Sequence, residues 1–146
     1  MAISHLYAST IIRVQVHFGF SNFICDPAEI TSALGIAPDE IGRKGEVKAN
    51  RGGREIRWPF NVWTISSRTS SKDVNDHLRE LLTQLVGVEL RIGNEFGTPS
   101  FSVFFKANSL RSGNGPYFES DVIAGIAALH AELWQDIYQV DDPEDQ

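Results

Sequence analysis

Cysteine is almost missing from this sequence: among 146 residues only Cys25 carries a thiol. A disulfide within the chain is excluded, so stability must come from a packed core, and the pattern suits a reducing compartment; the expected location is the cytoplasm. Long apolar runs are missing as well. No stretch approaches the roughly 18 uninterrupted apolar residues that a membrane-spanning helix needs. Residues 1–7 lack the basic region and apolar run of a secretory leader, so no membrane association is expected. Cations are in deficit, with 13 Lys and Arg against 19 Asp and Glu and a net charge of −6. That balance disfavours binding to a nucleic-acid backbone, which wants a basic surface. His5, His17, His77 and His130 show no metal-ligand spacing with one another or with Cys25. No metal and no cofactor is expected.

What is present is ordinary globular material, 42% apolar and 22% charged. The length implies one domain, which we place over residues 1–140. Residues 141–146 hold four carboxylates and Pro143 and read as an acidic, solvated tail.

Ile12, Val14, Val16, Phe18 and Phe20 alternate with Arg13, Gln15, His17 and Gly19, the period of a strand with one buried face. Asp26, Pro27 and Glu29 then give the cap, first position and capping-box acid of a helix that carries Ile30, Ala33 and Leu34 and ends at Gly35. A glycine-rich basic stretch follows. It predicts a short strand over 43–48, a loop at 50–53 and a strand over 58–67, with Trp63 and Ile65 on one face and Phe60, Val62 and Thr64 on the other. Ser70 and Asp73 open a second helix with the stripe Val74, Leu78, Leu81, Leu82 and Leu85. Residues 88–96 fit a strand (Val88, Leu90, Ile92) and a helix (Val88, Ile92, Phe96) equally well. Phe101, Val103, Phe105 and Ala107 make a strand, Ser120 caps a third helix with Val122, Ile123, Ile126, Ala127 and Leu129, and a strand over 133–140 closes the chain.

The order β-α-β-β-α-β-α-β implies an α+β fold. Right-handed crossovers would put the helices on one face of a mixed β-sheet, a two-layer ferredoxin-like sandwich with an added αβ unit; a two-layer fold of another topology is the competing arrangement.

Arg43-Lys44-Gly45-Glu46, Trp63-Thr64-Ile65-Ser66-Ser67, Ser112-Gly113-Asn114-Gly115 with Phe118 and Glu119, and Asp136-Ile137-Tyr138 stand in this order along the chain. In these motifs and their spacing the sequence resembles domain-of-unknown-function family 4279, small bacterial proteins of uncharacterised activity. The resemblance runs from the first strand to Tyr138 and implies a fold but no activity. In that family the segment after the second helix is further helix, which tips residues 88–96 toward a short helix.

Chemistry-bearing constellations are sparse. Cys25 beside a helix start has no paired base in the sequence, and Asp26, Glu29 and Asp73 are accounted for by capping and the helix dipole. Asp136 shares a strand face with Trp134 and Tyr138 and reads as an edge-strand solvent face. Gly113 and Gly115 lack the spacing of a nucleotide fingerprint and read as a turn. The outstanding feature is the segment 43–57, where six cations meet two carboxylates for a local +4, leaving −10 on the rest. We take Arg43, Lys44, Glu46, Arg51, Arg54, Trp63 and Asn114 as candidate binding residues. The expected function is non-catalytic binding of another protein, of the bacterial immunity type, in which an acidic surface occludes a toxin. The alternative is a small ligand-binding protein or enzyme with its site between the basic hairpin and the loop 112–115.

Overall fold

Alternation decides the layout of the sheet. In β1 (Ile11–Ser21) the even positions Val14, Val16, Phe18 and Phe20 are buried, while Arg13 is exposed and Gln15 and His17 are half-buried. In the computed structural model, which describes residues 11–107 and 117–139, β1 is the centre of a five-stranded sheet. The other strands are β2 (Glu40–Gly42), β5 (Val62–Ser66), β6 (Ser100–Ala107) and β7 (Glu132–Gln139), in the order β2-β5-β1-β6-β7. All neighbours are antiparallel except β6 and β7. β3 (Val47–Arg51) and β4 (Arg54–Arg57) form a separate two-stranded hairpin between β2 and β5.

Among the described residues three helices connect these strands: α1 (Pro27–Leu34), α2 (Val74–Gln84) and α3 (Ser120–Ala128). β1 and β2 run parallel with β5 between them, and β5 and β6 run parallel with β1 between them. These are two interleaved split crossovers, carried by α1 and α2; α3 returns the chain to β7 beside β6. The fold is therefore mixed α+β. One sheet face meets the helices through Phe18, Phe20, Trp63, Ile65, Phe101, Val103 and Phe105; Ile30, Leu34, Val74, Leu78, Leu81, Val122 and Ile126 come from the helices. Phe20 sits at the centre of an aromatic cluster, with ring centroids 5.6 Å from Phe18, 5.9 Å from Trp63 and 5.7 Å from Phe96. The other sheet face has no helix over it among the described residues.

Several sequence expectations change. Three strands, not one, lie between α1 and β5, because Gly52 and Gly53 take φ of 60° and 78° and close a two-residue turn between β3 and β4. The hairpin thus joins β3 to β4, and the strand expected over 58–67 shortens to β5, with Phe60 left outside it. Residues 88–96 form two short 3-10 turns, Val88–Leu90 and Asn94–Phe96. Val88 and Phe96 anchor them in the core while Leu90 is 91% exposed, so the strand alternation was coincidental. Asp26 and Asp73 cap α1 and α2 as expected, accepting the N–H of Ala28 and Asn75. Ser120 is the first residue of α3 and Glu119 its cap; Ile123 faces solvent, and Leu129 and His130 lie past the helix, His130 at φ 53°. Asn114, the loop 112–115 and residues 141–146 lie outside the described residues.

Candidate functional site

The basic segment is a hairpin with a tied root and an open tip. At the root, the Asn61 side chain accepts the Lys44 N–H at 2.8 Å and donates to the Phe23 carbonyl at 2.8 Å. The backbone closes it further: Gly45 N–H donates to Trp58 O, and Trp58 N–H to Glu46 O, both at 2.9 Å. Arg43 pairs with Asp26 at 3.1 Å, joining the root to the cap of α1. The Asp26 carboxyl is held below the usual carboxylate range by the Ala28 N–H and then by Arg43, and the Arg43 pKa is raised in return.

Trp58 completes the root. A Cβ on Gly42 would run into the Trp58 indole, so the ring occupies the place of a side chain there. Gly42 pairs with Val62, and Val62 with Ser21, which belongs to the helix-free set of β1. Trp58 therefore lies on the helix-free face at the sheet edge, and Lys48 Nζ stands 4.5 Å over its ring.

Toward the tip the partners run out. Arg57 bonds Glu55 at 2.6 Å and the Gly45 carbonyl at 2.7 Å. Arg51 and Arg54 are exposed direct cross-strand partners, and among the described residues neither forms an ion pair. Like charges placed opposite on a hairpin repel. Two cations thus face each other beyond a rigid root on a protein of net charge −6.

Of the sequence-derived candidates, the structure gathers Arg43, Lys44 and Glu46 at the root and Arg51 and Arg54 at the tip. Trp63 is elsewhere: it is 0% exposed in the core, its indole N–H donating to Thr31 Oγ1 at 3.0 Å. Its neighbour Trp58 is the tryptophan of the hairpin. Asn61 was missed. Its signal was available, since in the alternation of 60–65 it falls with Trp63 and Ile65, and a polar side chain on that face needs a hydrogen-bonding task.

The other reactive groups are engaged. His77 is buried, bonded to Ser67 Oγ and to the Ser71 carbonyl, both at 2.6 Å. Both ring nitrogens are thereby engaged. The Cys25 thiol is pushed up by burial and by Glu29, away from a nucleophilic thiolate. His17, on the helix-free face, is lowered by burial against the pull of Glu40 and Asp39, and bonds Ser66 Oγ at 2.7 Å. Among the described residues no three His, Cys, Asp or Glu side chains gather to hold a metal ion, and no helix is long and apolar enough to cross a membrane.

A profile described as a domain of unknown function, DUF4279, matches residues 12–140. The chain belongs to this family. The DUF4279 match spans the sheet, the helices and the hairpin together, so the hairpin lies inside the family domain. No curated protein and no solved structure matches the chain.

Proposed function

We propose that this DUF4279 protein is a non-catalytic binding module that docks an acidic surface of another protein with the tip of the β3–β4 hairpin. The supporting observation is the Arg51–Arg54 pair: two exposed cations held opposite one another on a root tied by Asn61, Trp58 and Arg43. Their mutual repulsion is relieved when a carboxylate inserts between them. In this reading residues 1–140 are one cytoplasmic domain, a ferredoxin-like two-layer sandwich in which the hairpin and the α3–β7 unit are additions. The test captures partners from the source cell with wild type and with the double variant Arg51→Glu, Arg54→Glu, then measures the affinity of each purified partner at two salt concentrations. An acidic partner lost in the variant and weakened by salt supports the reading; a partner that binds both proteins equally overturns it.

A second reading is favoured by the charge of −10 outside the hairpin. There the chain is an immunity-type protein whose acidic surface occludes a basic toxin, since complementary charge speeds association. Its partner would be basic, and hairpin charge reversal would leave binding intact.

A further inference from the structure

β1 outruns β5. Their pairing covers His17↔Ser66 to Ser21↔Val62, and beyond it the first residues of β1 have no β5 partner. The chain leaves the sheet at Ser67, whose N–H reaches the Val16 carbonyl at 2.9 Å. Glu80 holds the departing segment by accepting the Arg68 and Thr69 N–H groups at 2.6 and 3.0 Å. The space left beside β1 is a cavity of about 310 Å³ whose wall includes Arg13, Gln15, Arg68, Ser70 and Lys72. A second cavity, about 290 Å³, lies on the helix-free face, lined by Arg13, Gln15, His17, Ser102, Phe104 and Asp136. Arg13 and Gln15 stand in both walls, joined only by a long 3.4 Å hydrogen bond.

We propose that the two cavities are halves of one site for a phosphorylated planar molecule of the nucleoside monophosphate class. The phosphate lies among Arg13, Arg68 and Lys72, and the ring lies against Phe104. This site is independent of the hairpin reading. Three cations converge here on an acidic protein. Of the carboxylates bonded to the segment that carries Arg68, Glu80 is committed to two backbone N–H groups and Asp39 to the Ser66 N–H at 2.7 Å and to Arg68 at 3.0 Å. Arg68, 80% exposed on its side chain, gives Asp39 a single guanidinium nitrogen, and Lys72 is exposed, so each has N–H donors left for a charge-assisted contact with phosphate. At the other end Phe104 is backed by Tyr138, ring centroids 5.3 Å apart, which fixes the ring as a platform. Asp136 is the β7 partner of Phe104 and offers an acceptor for an amino group on the ligand ring. From β1 to β7 is two strand spacings, about 10 Å, enough for a ribose and base. At about 310 and 290 Å³ each cavity is at the small end of the range for ligand sites, and a nucleotide lying across both would fill the pair.

The test is calorimetric titration of the full chain with AMP, adenosine and inorganic phosphate at low salt. AMP binds, and adenosine and phosphate each bind at least about tenfold more weakly, as loss of one half of a composite site requires. Arg13→Ala removes AMP binding, Lys72→Ala weakens it, and Phe104→Leu brings AMP down toward the affinity of free phosphate. Arg13 and Lys72 are exposed, so their variants stay folded, which circular dichroism checks. The hairpin variant Arg51→Glu, Arg54→Glu binds AMP as wild type does, keeping this site separable from the docking tip. No heat with AMP, equal affinity for AMP and phosphate, or full binding by Arg13→Ala overturns the proposal.

Discussion

Two antiparallel pairings in this chain use the same backbone hydrogen bonds to different ends. Between β1 and β5 the rows Phe18↔Ile65 and Phe20↔Trp63 are buried, with all four side chains at 2% exposure or less. Between β3 and β4 the rows Val47↔Arg57 and Arg51↔Arg54 are exposed throughout. The ladder is common to both, so it does not set their stability; a backbone hydrogen bond exchanged with water nets only about 0.5–1.5 kcal/mol. Burial does, at roughly 1.5–3 kcal/mol for a large apolar side chain. An isolated two-stranded hairpin is marginal in water. β3–β4 therefore depends on its root, where Trp58, Asn61 and Arg43 do what a core does for β1.

The largest test of that contrast removes core rather than ladder. Leu81 is 0% exposed on α2, so Leu81→Ala is expected to cost about 2–5 kcal/mol by chemical denaturation; a change near zero would break the comparison. Next comes the root. Gly42→Ala drives a methyl into the Trp58 ring and is expected to cost about 1–3 kcal/mol. In the double variant with Trp58→Ala much of that cost disappears, because the clash is pairwise. Additive effects would show that Trp58 does not brace the hairpin.

A smaller effect lies on the helix-free face and depends on pH. Burial lowers the His17 pKa below 6.5 despite Glu40 and Asp39. Between the folded value and 6.5 the unfolded chain binds more protons, so stability rises with pH through that window and falls as pH drops below 6.5. Denaturation midpoints at pH 5.5 and 7.5 should differ in that direction for wild type and less for His17→Asn. The smallest change is at the tip: Arg51→Glu with Arg54→Glu should stay within about 0.5 kcal/mol of wild type. A larger loss would mean that the tip serves the fold and not a partner.

Local chemistry made part of this legible beforehand. The caps at Asp26 and Asp73 and the turn glycines work over three or four residues, so they could be read one segment at a time. So could the two faces of β1, whose alternation needs no partner strand. The helix face of Leu78 and Leu81 was equally plain, although Leu82 turns out half-buried, its methyls toward the Gly125 position of α3. The site was less legible. The charge excess of the segment 43–57 showed where to look, but not that Arg43 and Arg57 are paired and Arg51 and Arg54 are not.

Composition and short-range pattern thus determined the α+β class, the absence of a disulfide within the chain, the burial of one apolar face on β1, β5 and β6 and the existence of a cationic segment. Tertiary structure decided which of two tryptophans is core and which is brace. Trp58 and Trp63 have the same side chain five positions apart, and only the pairing of β2 with β5 puts Gly42 under the first, while α1 puts Thr31 against the second. It also decided that β5 stops at Ser66 while β1 continues, bringing Arg13, Arg68 and Lys72 around one cavity. No local rule could foresee this, because the length of a strand pairing depends on where the partner segment turns away, and that turn is held by Glu80 and His77 of α2.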